Sequence, residues 1–210
     1  SAITSIEFYR DGTNNIAVGS TFSLYGISAI GGVTPKATGG TVTSDETYWY
    51  HTFEMSGNFV PNQTLSCDYL VVAGGGGGST AGGGGGAGGF RTATAQSLTA
   101  TGYSVTVGSG GAGGASGSPY VAAPSGVASV FNSLSSAGGG GGGGYSSQAQ
   151  AFAGGSGGGI GADAGGGLTF GAGNTPSTSP SQGNNGGGGI TSPNGGGGGG
   201  GASVAGTNPG

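Results

Sequence analysis

Charged side chains are almost missing from this chain. Its 210 residues include three basic and seven acidic ones, for a formal net charge of −4, whereas about a quarter of an average globular domain is charged. Binding to nucleic acid or to an anionic membrane surface requires clustered Lys and Arg, but Arg10, Lys36 and Arg91 are widely separated. We therefore expect no nucleic-acid partner. No apolar run approaches the roughly 18 residues of a membrane-spanning helix, so we also expect no membrane insertion.

Residues that carry catalytic or metal-binding chemistry are scarce as well. Cys67 is the only cysteine and His51 the only histidine, so we expect neither a disulfide framework nor a thiolate metal cluster. A Ser–His–Asp triad can be drawn from His51, one of the many serines and Asp45 or Asp68. However, His51 lies in an alternating aromatic stretch, which is typical of a strand core. We expect no enzymatic activity, no cofactor and no metal site.

Helical periodicity is missing too, and the first residues have the β-branched and aromatic composition of strands. Residues 1–28, with a turn signal at Asp11–Gly12, are predicted to be the closing strands of a β-sandwich. The earlier strands of that sandwich would lie upstream or in a neighbouring chain. Residues 29–40 contain two Gly–Gly pairs and Pro35, a composition typical of a linker.

Two further strands are predicted before the glycine content rises. Residues 47–53 are aromatic and β-branched, and residues 66–72 form an apolar run that leads directly into glycine. Residues 41–73 are therefore expected to be strands that open a glycine-rich domain extending to residue 210.

Glycine is what the chain has in excess. Of its 60 glycines, only eight lie in residues 1–70. Uninterrupted runs occur at 74–78, 82–86, 138–144, 186–189 and 195–201. Glycine-rich chains are normally flexible linkers, but here the runs are embedded among apolar residues such as Val130, Phe152 and Ile190. This composition favours an ordered structure.

The ordered structure that such runs favour is a bundle of polyglycine II helices. Each helix is extended, with three residues per turn and a rise of about 3.1 Å, and has no internal hydrogen bonds. Neighbouring helices would satisfy the backbone groups laterally, and only a residue without Cβ permits that approach on all sides. Side chains are then tolerated at intervals of three, as for Ala112 and Ala115. Valine at Gly141 or Gly198 is expected to abolish the ordered fold.

The predicted fold class is therefore mainly β with extended, non-α structure. Sandwich-type strands precede a polyglycine II bundle with loops over residues 74–210, and almost no α-helix is expected. Within that region, Leu98–Ala100 and Tyr103–Val107 are predicted to pair as strands.

Two interruptions of the glycine runs are predicted to be turns at helix ends, and bundles of this kind expose their loops together at one tip. These interruptions supply the candidate receptor-binding residues: Tyr120, Asn174, Gln182, Asn184 and Asn185. A separate aromatic set could form a sugar-stacking face, although a strand-core role is commoner for such residues: Tyr9, Tyr25, Tyr48, Trp49 and Tyr50.

The stretch from residue 50 into the glycine runs resembles the glycine-rich domain of bacteriophage tail-fibre and tail-associated adhesin proteins. The resemblance is carried by Tyr50–Phe53, Ser56–Phe59, Asp68–Ala73 and Ser129–Phe131, the last followed by the glycine run at 138–144. Upstream, Ile3–Ile27 looks like the end of the sandwich domain that often precedes it. The resemblance implies a polyglycine II bundle that presents variable distal loops to a host receptor.

Three functions are compatible with these features. The first is a non-enzymatic tail-fibre or tail-tip module of a virion that recognises a host-cell glycan or outer-membrane protein. The second is a subunit of an extracellular structural fibre or matrix without a specific ligand. Both predict contacts with other copies of the chain or with neighbouring fibre proteins. The third, ice binding by a flat face, would need regularly spaced Thr or Ala, which the irregular interruptions do not show.

Overall fold

The computed structural model describes residues 34–45, 47–80, 82–115, 121–145, 149–162, 168–191 and 194–210. The chain divides into two units, Ser1–Pro35 and Lys36–Gly210, and nearly all of the described residues belong to the second unit. The sandwich strands predicted for residues 1–28 lie outside the described residues. Within the described ranges the chain forms strands and extended segments and no helix, which confirms the prediction of a mainly β fold.

The strands are short and come mostly before residue 137. They are β1 (Ala37–Thr38), β2 (Thr41–Ser44), β3 (Trp49–Thr52), β4 (Gly57–Pro61), β5 (Leu65–Val72), β6 (Phe90–Leu98), β7 (Tyr103–Thr106), β8 (Ser129–Phe131), β9 (Leu134–Ser136), β10 (Ile190–Thr191) and β11 (Asn194–Gly195). All of their pairings are antiparallel.

One five-stranded sheet and one two-stranded ribbon enclose the apolar core. The sheet has the order β1-β4-β7-β8-β9, and the ribbon pairs β5 with β6. Ala37, Phe59 and Leu98 are buried at the centre of the core. Phe131 packs edge-to-face on Phe59 and on Tyr69, with ring centroids 5.8 and 4.9 Å apart. The core therefore joins strands that are far apart in sequence, as antiparallel layers require.

A β-bulge in the β5–β6 ribbon places Leu98 on the inward face. The register shifts between Cys67 and Tyr69, and Ala95 on the opposite strand has a left-handed φ of 52°. The carboxylate of Asp68 accepts a hydrogen bond of 2.7 Å from the N–H of Ala95. The extra residue returns Leu98 to the core side, where it is 1% exposed.

Two details of the strand prediction need correction. Residues 37–38, inside the predicted linker 29–40, form β1, because Ala37 is buried and pairs with Pro61 of β4. Residues 98–100 and 103–107 do not pair with each other as predicted. β6 pairs with β5, and β7 pairs with β4 and β8, because these pairings place apolar residues of both strands in one core.

Extended glycine-rich segments continue from the strands, and we name them s1 to s11 in chain order. They span residues 74–79 (s1), 82–89 (s2), 108–115 (s3), 121–128 (s4), 137–144 (s5), 149–153 (s6), 154–161 (s7), 168–173 (s8), 183–189 (s9), 196–201 (s10) and 204–209 (s11). Their backbone groups bond to other segments and not along their own chain.

The hydrogen bonds between segments recur every three residues. The N–H groups of Gly111 and Gly114 in s3 donate to the carbonyl oxygens of Gly75 and Gly78 in s1, at 2.8 and 2.9 Å. The same spacing links s5 to s1, s2 to s10, s7 to s2, s7 to s9 and s10 to s7. A three-residue period of lateral bonds differs from the two-residue period of a β-ladder. It is the bonding that extended helices with three residues per turn would make with their neighbours.

The bonded neighbours define a layered arrangement with three rows. The first row is s3–s1–s2–s10–s11, the second is s4–s5–s7–s9, and the third is s6–s8. Each segment of the second row lies between two segments of the first, and s7 bonds to s2, s5, s6, s8, s9 and s10. This is hexagonal packing, with s7 enclosed on all sides.

Glycine is required in s7 because successive residues approach different neighbours. A Cβ on Gly157 would lie 1.8 Å from the Gly171 oxygen in s8. On Gly158 it would lie 2.1 Å from the Gly141 oxygen in s5, and on Gly159 it would lie 2.1 Å from an oxygen in s10. These distances leave no room for any side chain. Three consecutive residues that point toward three different segments also agree with a threefold backbone repeat.

Candidate functional site

The eleven segments alternate in direction, which fixes where their connections lie. Antiparallel bonds join s1 to s2, s4 to s5, s9 to s10 and s10 to s11, whereas parallel bonds join s1 to s3 and s5, and s7 to s5 and s9. Odd-numbered segments therefore run away from the strands and even-numbered segments run back toward them. We call the end of the bundle that adjoins β5 to β9 the sheet end and the opposite end the far end.

Ten segment ends lie at the far end, in five pairs that follow one another along the chain. The pairs are s1 with s2, s3 with s4, s5 with s6, s7 with s8 and s9 with s10. Between the members of these pairs the sequence departs from pure glycine, with Ser79–Thr80, Ser116–Tyr120, Tyr145–Gln148, Asp163 and Thr191–Asn194. The hydroxyl of Thr80 donates to the Ala115 carbonyl at 3.2 Å and so links the end of s1 to the end of s3. The far end is thus where five interruptions of the glycine-rich sequence begin and end on a backbone-bonded support.

Tyr120 lies outside the described residues. The other candidate residues, Asn174, Gln182, Asn184 and Asn185, lie at the sheet end, where s8 connects to s9. The four described candidates are therefore at the end of the bundle opposite to the far end. Spacing along the chain could not show this, because the end on which a connection lies depends on the number of segments before it.

The loop between s8 and s9 is organised by one asparagine side chain. The Oδ1 atom of Asn174 accepts hydrogen bonds from the N–H of Thr178 at 3.0 Å, the Thr178 hydroxyl at 2.9 Å and the N–H of Gln182 at 3.2 Å. Asn174 has a left-handed φ of 48°, a conformation that asparagine tolerates better than most residues. The side chain of Asn174 therefore stabilises the conformation of this loop.

Gln182 is 1% exposed and works as an internal support. Its Oε1 accepts a hydrogen bond of 2.8 Å from the N–H of Ala137, and its Nε2 donates to the Pro176 carbonyl at 2.7 Å. The backbone carbonyl of Gln182 also accepts a bond from Phe90 at 2.9 Å. The side chain therefore joins the loop to s5, the backbone carbonyl joins it to β6, and the residue has no surface to offer a receptor.

Asn184 and Asn185 are placed at the start of s9 and bond to neighbouring segments. The Nδ2 of Asn184 donates to the carbonyls of Gly201 and Ala202, both at 3.1 Å. The Oδ1 of Asn185 accepts a bond of 2.9 Å from the N–H of Gly173. Asn185 is exposed and Asn184 is half-buried. Their amides therefore cap the ends of adjacent segments.

The residues considered for catalysis are separated or occupied in structural contacts. The Nδ1 of His51 lies 2.8 Å from the Gly39 carbonyl, and its ring packs edge-to-face on Phe59 with centroids 5.1 Å apart. Asp68 holds the bulge at Ala95. Burial raises the pKa of the Cys67 thiol, with a smaller contribution from the charge of Asp68. Across the described residues, no three His, Cys, Asp or Glu side chains form a group that could hold a metal.

Comparison with known proteins identifies a family for most of the chain. A family model described as a glycine-rich domain matches residues 52–210. No curated protein and no solved structure matches the chain. Among the residues that the structure describes, there is no helix with the length and apolarity needed to cross a bilayer.

Proposed function

We propose, on the premise that this chain belongs to the glycine-rich domain family, that it is a non-enzymatic adhesion module of a bacteriophage tail fibre or tail tip. The partner would be a glycan or an outer-membrane protein of the host cell, and the chain would be part of the virion. The observation that carries this proposal is that segments s1 to s10 end in five consecutive pairs at the far end of a densely hydrogen-bonded bundle.

The bundle suits a support for variable loops because its bonds are between backbone groups. The lateral bonds made by Gly111, Gly114 and their equivalents need no particular side chain, so the connections can change in sequence without altering the segments that carry them. Binding residues are commonly carried on loops that a rigid scaffold positions. A binding surface whose receptor varies could therefore change the residues of its loops while the hydrogen-bonded segments stay the same.

We further propose that segments s1 to s11 are polyglycine II helices. The three-residue recurrence of lateral bonds, the hexagonal rows and the three directions of Gly157, Gly158 and Gly159 all support this assignment. Such helices would give the support its stiffness, because every segment of the second row is bonded to neighbours on several sides. The circular dichroism of the folded chain should then lack the α-helical minima and differ from that of an ordinary β-sheet protein.

A direct test measures how the fluorescently labelled chain binds to a panel of bacterial cells. The variant replaces residues 116–120, which connect s3 to s4 in the sequence, with five alternating glycines and serines. The control is Val204→Ser at the sheet end, where the valine is 66% exposed. We expect the far-end variant to bind at least about tenfold more weakly, which corresponds to about 1.4 kcal/mol, while the control binds as the parent does. Equal binding by both variants would overturn the proposal.

The alternative is an extracellular structural fibre that contacts only other copies of itself. Immunogold electron microscopy with an antibody against a far-end connection separates the two functions. Label at tail or fibre tips of virions supports adhesion, whereas label along cell-associated filaments, with virions bare, supports the structural fibre.

A further inference from the structure

The β2–β3 hairpin presents two tyrosines to solvent on one of its faces. Tyr48 is 64% and Tyr50 47% exposed, and their ring centroids are 6.4 Å apart with the planes inclined by 59°. The cross-strand partner of Tyr50 is the small Thr43, which leaves the rings uncovered. His51 points to the other face of the strand, where it packs on Phe59. The tyrosines are therefore not part of the core.

A carboxylate is fixed beside these rings. The Oδ1 of Asp45 accepts hydrogen bonds from the N–H of Thr47 at 2.7 Å and of Tyr48 at 2.6 Å. Its Oδ2 accepts a bond of 2.6 Å from the Tyr50 hydroxyl. The Tyr50 hydroxyl, followed by the two N–H groups, lowers the pKa of Asp45, and the same hydroxyl–carboxylate bond raises the pKa of Tyr50. Asp45 is thus ionised and Tyr50 neutral at pH 7.

We propose that Asp45, Tyr48 and Tyr50 form a binding site for a substituted ammonium group. The faces of aromatic rings attract cations, and two inclined rings can contact one cation together. The ionised carboxylate supplies the counter-charge, and within the described part of the chain no basic side chain is among the groups that act on Asp45. The net charge of −4 also favours the approach of a cation. The site is distinct from the far end and does not rest on the proposed adhesion function.

Two sources carry this chemistry: a choline-type trimethylammonium headgroup and the primary ammonium of a lysine side chain. The experiment is an NMR titration of the full chain with choline, with n-butylammonium and with 3,3-dimethyl-1-butanol, the uncharged analogue of choline. We expect saturable shifts of the Tyr48 and Tyr50 ring signals with a Kd of about 10 mM, as exposed cation–π contacts allow. Tighter binding of choline than of n-butylammonium identifies the headgroup, and the reverse identifies the lysine.

Three variants separate this site from a nonspecific effect. Asp45→Asn should weaken binding about fivefold, which is the strength of one ion pair in water, and Tyr48→Leu should abolish it. Val42→Ala, on the face opposite the tyrosines, should leave binding unchanged. Tyr48→Leu removes no side-chain hydrogen bond among those that hold Asp45, so the hairpin should persist. Equal shifts with the uncharged alcohol, or undiminished binding by Tyr48→Leu, would overturn the proposal.

Discussion

Two adjacent glycines in s1 provide a matched test of the close packing. A Cβ on Gly76 would lie 2.2 Å from the carbonyl oxygen of Gly140 in s5, whereas a Cβ on Gly75 would meet nothing closer than the Gly86 oxygen at 3.5 Å. Neither residue has a left-handed φ. Alanine at the two positions therefore differs only in what the added methyl group meets.

The expected size of the difference follows from the hydrogen bonds around Gly76. An ordinary contact begins near 3.4 Å, so s1 and s5 must separate by roughly 1 Å to admit the methyl group. This strains the bonds from Gly76 to Gly86 and from Gly139 and Gly142 to s1. At about 1 kcal/mol for each net bond, Gly76→Ala should cost about 3 kcal/mol. Gly75→Ala should instead stabilise the fold by about 0.5 kcal/mol, because it restricts the unfolded chain.

Thermal unfolding followed by calorimetry measures both effects. At about 3 °C for each kcal/mol in a chain of this length, Gly76→Ala should lower Tm by roughly 10 °C and Gly75→Ala should raise it slightly. Similar Tm values for the two variants would refute the close contact between s1 and s5.

Three further predictions address two buried side chains and the half-buried Cys67. Ser156→Ala should stabilise the fold by about 1 kcal/mol, because the Ser156 hydroxyl is fully buried without a partner in the described part of the chain; a loss of stability in urea unfolding would reveal a bond to that oxygen. Gln182→Ala should destabilise the fold by about 3 kcal/mol, since it strands the Ala137 N–H and the Pro176 carbonyl; an unchanged urea midpoint would contradict this. Cys67 should react with iodoacetamide more slowly than a free thiol at pH 8, because burial raises its pKa and keeps it neutral. Since the fold favours the neutral thiol, the contribution of Cys67 to stability should fall as the pH rises above the pKa of this thiol in the unfolded chain. Equal alkylation rates in the folded and the unfolded chain would disprove both statements.

The strand regions were predictable from local composition. The aromatic and β-branched residues at 47–53 and 66–72 contain β3 and most of β5, whose inward residues alternate along the chain. Strand partners were less accessible, because pairing of β7 with β4 and β8 depends on contacts between distant residues. The bulge at Ala95 likewise depends on the carboxylate of Asp68 across the ribbon, which no local pattern indicates.

The glycine runs were recognisable as packed segments, but their neighbours were not. Gly141 and Gly198 are equivalent in sequence, since each lies inside a pure run. A Cβ on Gly141 would lie 1.8 Å from the Ala123 oxygen, whereas on Gly198 it would lie 3.3 Å from Thr207. Valine should therefore be much more damaging at Gly141 than at Gly198. The difference arises from the row in which each segment lies.

The candidate contact residues show the same limit. Gln182 has the composition and position of a loop residue, yet the bonds to Ala137 and Pro176 make it internal. The sequence alone does not indicate which interruptions of the glycine runs lie at the far end, because this depends on the direction of every preceding segment.

The most direct test of the bundle is amide hydrogen exchange of the glycines in s1, followed by NMR with selective labelling. The N–H groups of Gly74, Gly76 and Gly77 donate to s4 and s2, whereas those of Gly75 and Gly78 donate to no described residue. Protection should therefore be strong at Gly74, Gly76 and Gly77 and weak at Gly75 and Gly78, so that the weakly protected residues recur every three positions. Uniformly fast exchange along s1 would contradict the bundle, and protection with a period of two would replace it with an ordinary β-ladder.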